Sequence, residues 1–444
     1  MPSLSPLDRK IWGIAWPAML SNISIPLLGL ADAAILGHLD SPLYLGAVAI
    51  GGALLAFLYW GFGFLRMGTT GLVARAVGAG REQEALLVLA RSAVLALVIA
   101  AMLLTLHPLL LAAGFALMAP ASDILPLADS YVRIRLYSAP AVLVTYAVVG
   151  WCIGRQDTRR PLLIVISTNV LNILLDLFFI LGLGLNSDGA ALATVIAEYS
   201  GCALALWQVW LALPEARWRE IARQLWRPAD YHELLRSNWH LFVRTICLLA
   251  GFAFFTAAGD KLGSTVLAAN ALMLQLLMFC AHALDGFAFA AEGLTGQRLG
   301  GGDRAGFQAA VKRCALWCGV TAVLLTLLLW LGGYFLPQWL TALEMVRETM
   351  RAHWPWLLLM PLAAGPSYLL DGVFIGAAET RPMMVTMLVS AVLVYLPVWY
   401  LSRDWGNHGL WLAFVLFNAA RGATLYPAYR RRWGGKQSLR GITG

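Results

Sequence analysis

Asp32 stands inside an apolar stretch, Leu28-Gly-Leu-Ala-Asp-Ala-Ala-Ile-Leu-Gly37. An acid at the centre of a membrane helix costs about 3 kcal/mol or more on insertion scales, so it needs a reason to be there. Asn22 and Gly29 share its stripe. Asn169, Asn172 and Asp176 recur at i, i+3 and i+7, which places all three on one helix face. Thr194 and Tyr131 sit in two further apolar runs. Two carboxyls brought together in an apolar setting repel each other and lose water, so the doubly charged state is disfavoured and a proton is readily held. That chemistry suits proton binding. The alternative is a hydrogen-bond network that only joins helices. A second set lies further on: His282 and Asp285 three residues apart, Glu292 seven beyond Asp285, and Asp371 at the end of an apolar run. These could take a cation, a substrate ammonium or a second proton. Glu292 and Asp371 also admit partly hydrated or salt-bridged roles. Glu198 could join the first set or pair with a neighbouring arginine.

The elements that must position these groups are long apolar runs. Apolar residues are 60% of the chain and charged ones only 13%, against about 25% charge in a soluble domain; mean hydropathy is +0.72. Twelve runs are each long enough to cross a hydrocarbon core of about 30 Å: 11–37, 44–67, 86–113, 125–152, 161–184, 189–212, 238–259, 265–290, 308–333, 350–376, 383–402 and 408–427. They are expected to be helices, because lipid offers no partner to an unpaired amide. About 24 of the 32 Lys and Arg residues fall on one side, which puts both termini in the cytoplasm. Odd-numbered runs then point outward, and Asp32, Asp176, Thr194 and Tyr131 come within roughly 12 Å of their outer ends at ~1.5 Å per residue. The first run is too long for a signal-peptide core and reads as a retained anchor. Prolines inside the runs are Pro17, Pro26, Pro108, Pro140, Pro361, Pro366 and Pro397. Each removes a helical hydrogen bond. Pro17 and Pro26 precede Asp32, and a bend there would either be static or move the carboxylate.

The chain also repeats itself. Gly71-Leu-Val-Ala-Arg-Ala-Val-Gly and Gly293-Leu-Thr-Gly-Gln-Arg-Leu-Gly lie 222 residues apart, half of 444. The same offset carries Gly150-Trp-Cys-Ile-Gly onto Gly372-Val-Phe-Ile-Gly, Gly37 onto Gly259 and Ala47 onto Ala269. Two similar membrane halves point to a transporter with its cavity at the repeat interface. Residues 1–213 form the first six-helix lobe, 214–236 an amphipathic cytoplasmic linker, 237–430 the second lobe and 431–444 a basic tail. The first set of polar residues does not repeat: Asp32 maps to Phe254, Asn169, Asn172 and Asp176 to Ala391, Val394 and Val398, and Thr194 near Phe414. Where halves share a scaffold but not a chemistry, function is the better explanation.

Several classes drop out. The +8 net charge is met by the basic membrane-facing loops, and there is no nucleic-acid motif. The Gly-rich turns 78–80 and 300–302 lack the Lys-Ser/Thr of a phosphate loop. Six cysteines sit in or beside apolar runs and read as free thiols; Cys314 and Cys318 share a face but make a poor metal site alone. No enzyme constellation, cofactor or metal is expected, and transport would be driven by an ion gradient.

The chain resembles the multidrug and toxic compound extrusion (MATE) family, in its DinF branch. The likeness is carried by Pro17 and Asp32, Ala47-Val-Ala-Ile, Val73-Ala-Arg-Ala-Val-Gly, Gly154-Arg-Gln-Asp-Thr-Arg, Asn172 with Asp176, Gly189-Ala-Ala-Leu-Ala-Thr194, Asp285-Gly-Phe-Ala-Phe-Ala-Ala-Glu292 and Asp371-Gly-Val-Phe-Ile-Gly. It implies an all-α exporter of twelve transmembrane helices in two bundles, exchanging amphipathic, often cationic compounds for H⁺ or Na⁺. It implies a coupling cluster at Asp32, Asn172, Asp176 and Thr194, with Tyr131 beside it, and a helix that bends near Pro17 or Pro26 on protonation. H⁺ is the expected ion, with Na⁺ at the second-lobe acids or a lipid-precursor flippase as alternatives. The expected setting is a bacterial inner membrane, with lipid as the other partner and the chain acting as a monomer. The residues give neither the natural substrate nor the stoichiometry.

Overall fold

The computed structural model describes residues 5–39, 41–212, 217–227 and 231–434; the side chains of 217–220 lie outside that description, as do Asp40, parts of the expected linker and the last ten residues of the expected tail. Among the described residues the chain is helical throughout, without strands. In chain order the helices are α1 (Pro6–Leu36), α2 (Pro42–Gly61), α3 (Phe64–Gly78), α4 (Glu82–Met118), α5 (Leu125–Leu136), α6 (Ala139–Gly154), α7 (Arg159–Asp176), α8 (Asn186–Leu211), α9 (Arg217–Leu225), α10 (His232–Asp260), α11 (Ser264–Gly300), α12 (Arg304–Gly332), α13 (Leu336–Leu340), α14 (Glu344–Gly376), α15 (Thr380–Val389), α16 (Leu396–Ser402) and α17 (Asn407–Tyr429). Wider π turns follow α7 at Leu177–Gly182 and join α15 to α16 at Ser390–Tyr395.

Ten continuous helical stretches are long and apolar enough to cross a membrane, and the pair α5–α6 forms an eleventh if counted as one broken span. The twelfth run is α17, a helix of 23 residues with much of its surface buried. Its Asn407, Asn418 and Arg421 lower its apolarity, and all three are inside.

Not every proline is interior. Pro17 and Pro26 lie within an unbroken α1. Pro140 and Pro397 instead open α6 and α16, where the missing N–H would be unsatisfied anyway. At the first of these the chain turns by 51° between α5 and α6. The carbonyl of Arg135, losing its regular partner, accepts from Ser138 N (3.0 Å) and Ser138 Oγ (2.8 Å). That turn leaves Arg135 in the last turn of α5.

The chain divides into two compact units, parting within α1 between Ala15 and Trp16 and within α10 between Phe242 and Val243. The amino-terminal unit is Trp16–Phe242; the carboxy-terminal unit holds the earlier described residues and everything from Val243 onward. In the amino-terminal unit, Ile221 of α9 is buried against Val73, Leu87, Ala205 and Val209, and Arg91 donates to Gln224 O at 3.3 Å. In the carboxy-terminal unit, Trp12 meets Phe287 and Trp317 edge-on, each at 5.3 Å, and Trp317 Nε1 donates to Asp8 Oδ1 at 2.9 Å.

The sequence repeat is also a repeat of contacts. A Cβ on Gly150 would lie 2.4 Å from Arg66 O, and one on Gly372 would lie 2.4 Å from Ala288 O. Both partners of each pair are 222 residues apart. Gly154 against Thr70 O and Gly376 against Glu292 O repeat the relation, at 2.8 and 2.3 Å. Close backbone approach through small residues is how membrane helices associate when burial of apolar surface drives nothing.

Candidate functional site

In the amino-terminal unit four helices bring polar groups together. Asp176 is the last residue of α7, where the wider π turn begins; such turns recur at functional positions. Its side chain and that of Asp32 on α1 are hydrogen-bonded to each other. A hydrogen bond between two carboxyl groups requires a proton on one of them, so the two are placed where they can share one. Oδ1 of each is buried without a donor. Asp176 and Asn172 are fully buried and Thr194 nearly so.

Asn172 links α7 to α8. With its amide oxygen towards Thr194 it accepts from Thr194 Oγ1 (2.9 Å) and Thr194 N (3.2 Å), and its nitrogen donates to Asp176 Oδ2 (3.0 Å). Asn169, one turn earlier, donates to Ser24 O of α1 at 3.2 Å. Asn169 therefore holds the backbone of α1 between Pro17 and Pro26, on the stretch leading to Asp32. Tyr131 of α5 is buried, with Asp32 and Asp176 in its electrostatic surroundings. Its ring lies so close to Gly51 of α2 that a Cβ there would be 2.6 Å away.

One residue of this site escaped the sequence reading. Arg135, one helical turn after Tyr131, acts electrostatically on both Asp32 and Asp176 and pairs with Glu198 of α8, Nη2 to Oε1 at 3.4 Å. The available signal was the i, i+4 relation to Tyr131 and the proline five residues on that ends α5. Glu198 thus takes up the expected pairing with a neighbouring arginine.

The carboxy-terminal acids are differently placed. Asp371 of α14 is buried, and its Oδ2 accepts from Arg244 of α10 and from Arg421 of α17, the latter at 2.9 Å. Arg421 also donates to Asn418 Oδ1 at 3.0 Å and lies over the rings of Tyr368 and Phe417. Asp371 takes the salt-bridged role. Glu292 is 1% exposed, and its backbone carbonyl forms the seat of Gly376. Asp285 and His282, on α11, are half-buried and belong to the carboxy-terminal unit. The six cysteines are free thiols. Among the described residues no group of three His, Cys, Asp or Glu side chains is placed to hold a metal ion.

Two helical units with matching crossings, and a cluster of two acids without a cation partner of their own in the amino-terminal one, fit a multi-pass membrane transporter. The MatE family model matches residues 17–178 and again 241–401, once in each half, and the chain belongs to that family. It is 37% identical to DNA damage-inducible protein F of Escherichia coli (strain K12), over 98% of this chain and 94% of that one. It is 23% identical to the probable multidrug resistance protein NorM of Thermotoga maritima, over 92% and 89%. Among solved structures, the MATE transporter VcmN of Vibrio cholerae superposes with a TM-score of 0.85 at 22% identity, covering 96% of this chain and 97% of that one. The fold expected from the sequence, an all-α protein of two six-helix bundles in the MATE manner, is the one found.

Proposed function

We propose that this transporter is a proton-coupled antiporter, exporting amphipathic, often cationic compounds from the cytoplasm in exchange for a proton held by Asp32 and Asp176. The observation that carries the reading is the contact between these two carboxyls, oriented on one side by Asn172 and Thr194. A proton entering the pair removes charge from the cluster, and a cationic compound is then less well held. Loss of the proton restores the charge. By reciprocity, compound and proton compete for the same groups. The bends allowed by Pro17 and Pro26 give α1 a way to carry Asp32, with Asn169 on Ser24 O as the contact that would change.

The sodium alternative finds less support. Of the second-lobe acids it would use, Asp285 and Asp371, the latter already faces two guanidinium groups, and a cation site needs uncompensated oxygens. A lipid-precursor flippase would need free cations in its cavity, whereas Arg244 is committed to Asp371. The proposal places the chain in a bacterial inner membrane as a monomer with both termini in the cytoplasm, consistent with the arginine and lysine distribution; no cofactor is invoked.

Efflux of a fluorescent cationic dye from vesicles, driven first by an imposed pH gradient and then by an imposed sodium gradient, tests the ion. Transport under the pH gradient alone is expected. Asp32→Asn should abolish it while the protein stays folded and membrane-inserted. Full proton-driven efflux by that variant would overturn the assignment, as would efflux driven only by sodium.

A further inference from the structure

Arg135 and Glu198 form an ion pair inside apolar helices, and the pair is poorly made. Their Nη2–Oε1 contact is 3.4 Å, longer than the 2.7–2.9 Å of a good charge-assisted bond, and Glu198 also has Ser138 as a hydrogen-bond neighbour. Arg135 Nε and Glu198 Oε2 are both buried without a partner, although the side chains are only 15% and 19% exposed. A pair kept for stability would be bidentate and saturated, because a buried ion pair offsets its desolvation only with good geometry and further hydrogen bonds. Asp371 is met by two arginines on one oxygen, against the one arginine at Glu198; the Nε atoms of all three arginines lack a partner, so the difference lies in the number and length of the contacts.

The surroundings point the other way. Arg135 contacts Glu198 and lies within electrostatic reach of the acid pair, Asp32 and Asp176, with Tyr131 and Tyr59 also in its field. Tyr146 of α6 is within electrostatic reach of Glu198. The Arg135 carbonyl is held by Ser138 at the break between α5 and α6, so the guanidinium can change partners while the helix stays still.

We infer that Arg135 is a mobile counter-ion that exchanges between Glu198 and the Asp32–Asp176 pair, and that Glu198 is the next proton acceptor. This deepens the proton-coupled reading and rests on it. In the step, the O–H bond of the acid pair breaks and an O–H bond forms on a Glu198 oxygen. Arg135 moves the opposite way, from Glu198 to the doubly ionised pair. Before the step the group holds one proton on the pair, an ionised Glu198 and the guanidinium; afterwards it holds a neutral Glu198 and two carboxylates. The total charge is −1 in both states, so no net charge is created in a medium where isolated charge is costly. Arg135 and Glu198 are positioning and relay residues: neither is required to touch the exported compound.

The test is proton release from purified protein in detergent on addition of a cationic dye, measured against pH. Arg135→Gln removes the cation from the acid pair, which then keeps its proton to higher pH; the release midpoint is expected to rise by about 1 pH unit or more, the effect of one opposite charge at close range. Glu198→Gln leaves Arg135 to the acid pair permanently, and the midpoint is expected to fall. Arg135→Lys should recover most of the wild-type midpoint. In the Arg135→Gln background, Glu198→Gln should move the midpoint little. Size-exclusion profiles and dye affinity at a pH well above the midpoint check that each variant is folded. Midpoints unchanged in folded Arg135→Gln and Glu198→Gln, or shifted in the same direction, would overturn the inference. Failure of the underlying reading looks different: wild-type protein would then release no proton at all.

Discussion

Positions 32, 172, 176 and 194 of the amino-terminal unit carry Asp, Asn, Asp and Thr in one hydrogen-bonded group. At the matching positions the carboxy-terminal unit carries Phe254, Val394, Val398 and, near the fourth, Phe414. There Phe254 packs edge-on against Tyr395 at 5.4 Å and Trp399 at 5.1 Å, and Tyr395 lies 6.1 Å from Phe414. The same helix crossings, fixed by Gly150 and Gly372 on equivalent backbone, enclose a polar cluster in one unit and aromatic packing in the other. The acids contrast as well. Asp32 and Asp176 touch each other and have unpartnered oxygens, whereas Asp371 is gripped by two arginines. A carboxyl meant to exchange a proton cannot be tied to a permanent cation, and one meant to hold three helices together must be.

This contrast can be broken at its strongest point first. Asp371→Asn should strand two buried guanidinium groups and cost about 3–5 kcal/mol, seen as a large fall in melting temperature in detergent, followed through exposure of the mostly buried free thiols. A melting curve like that of the wild type would mean that Asp371 is not structural. Phe254→Ala should be next. It opens a hole beneath Tyr395 and Trp399, and because Phe254 is only partly buried the loss should fall below the usual 3–5 kcal/mol, at about 2–3 kcal/mol, with dye efflux still proton-driven; loss of coupling instead would show that the aromatic unit shares the chemistry. Asp32→Asn should shift stability by less than about 1 kcal/mol even as it stops coupled transport, since a neutral amide can stand in for the protonated carboxyl beside Asp176. A destabilisation comparable to that of Asp371→Asn would erase the distinction between the two kinds of acid. The smallest effect is expected from Asn172→Ala, about 0.6 kcal/mol, the average for an interhelical polar pair in a membrane such as Asn172 with Thr194, together with a displaced pH dependence of efflux because Asp176 loses its donor. Unchanged pH dependence would reduce Asn172 to a link between α7 and α8.

Much of this was legible before any coordinates. Hydropathy gave the spans, because every backbone amide in lipid must be paired within its own helix. The 222-residue offset located the duplicated crossings, since glycine is needed wherever one backbone meets another. The polar residues of the first half stood out because burying them in lipid is expensive, and their helical spacing placed them on common faces. Partnership was not legible. Arg135 and Asp32 are 103 residues apart and on different spans, and only the turn before Pro140 brings the guanidinium to the acids. Asp371 looked like a candidate cation ligand because its partners Arg244 and Arg421 lie 127 and 50 residues away. One-dimensional sequence fixes which groups must be buried, through the cost of placing them in lipid. Which buried acid is left open to a proton and which is neutralised by a cation depends on distances between helices, and these exist only once the bundle has packed.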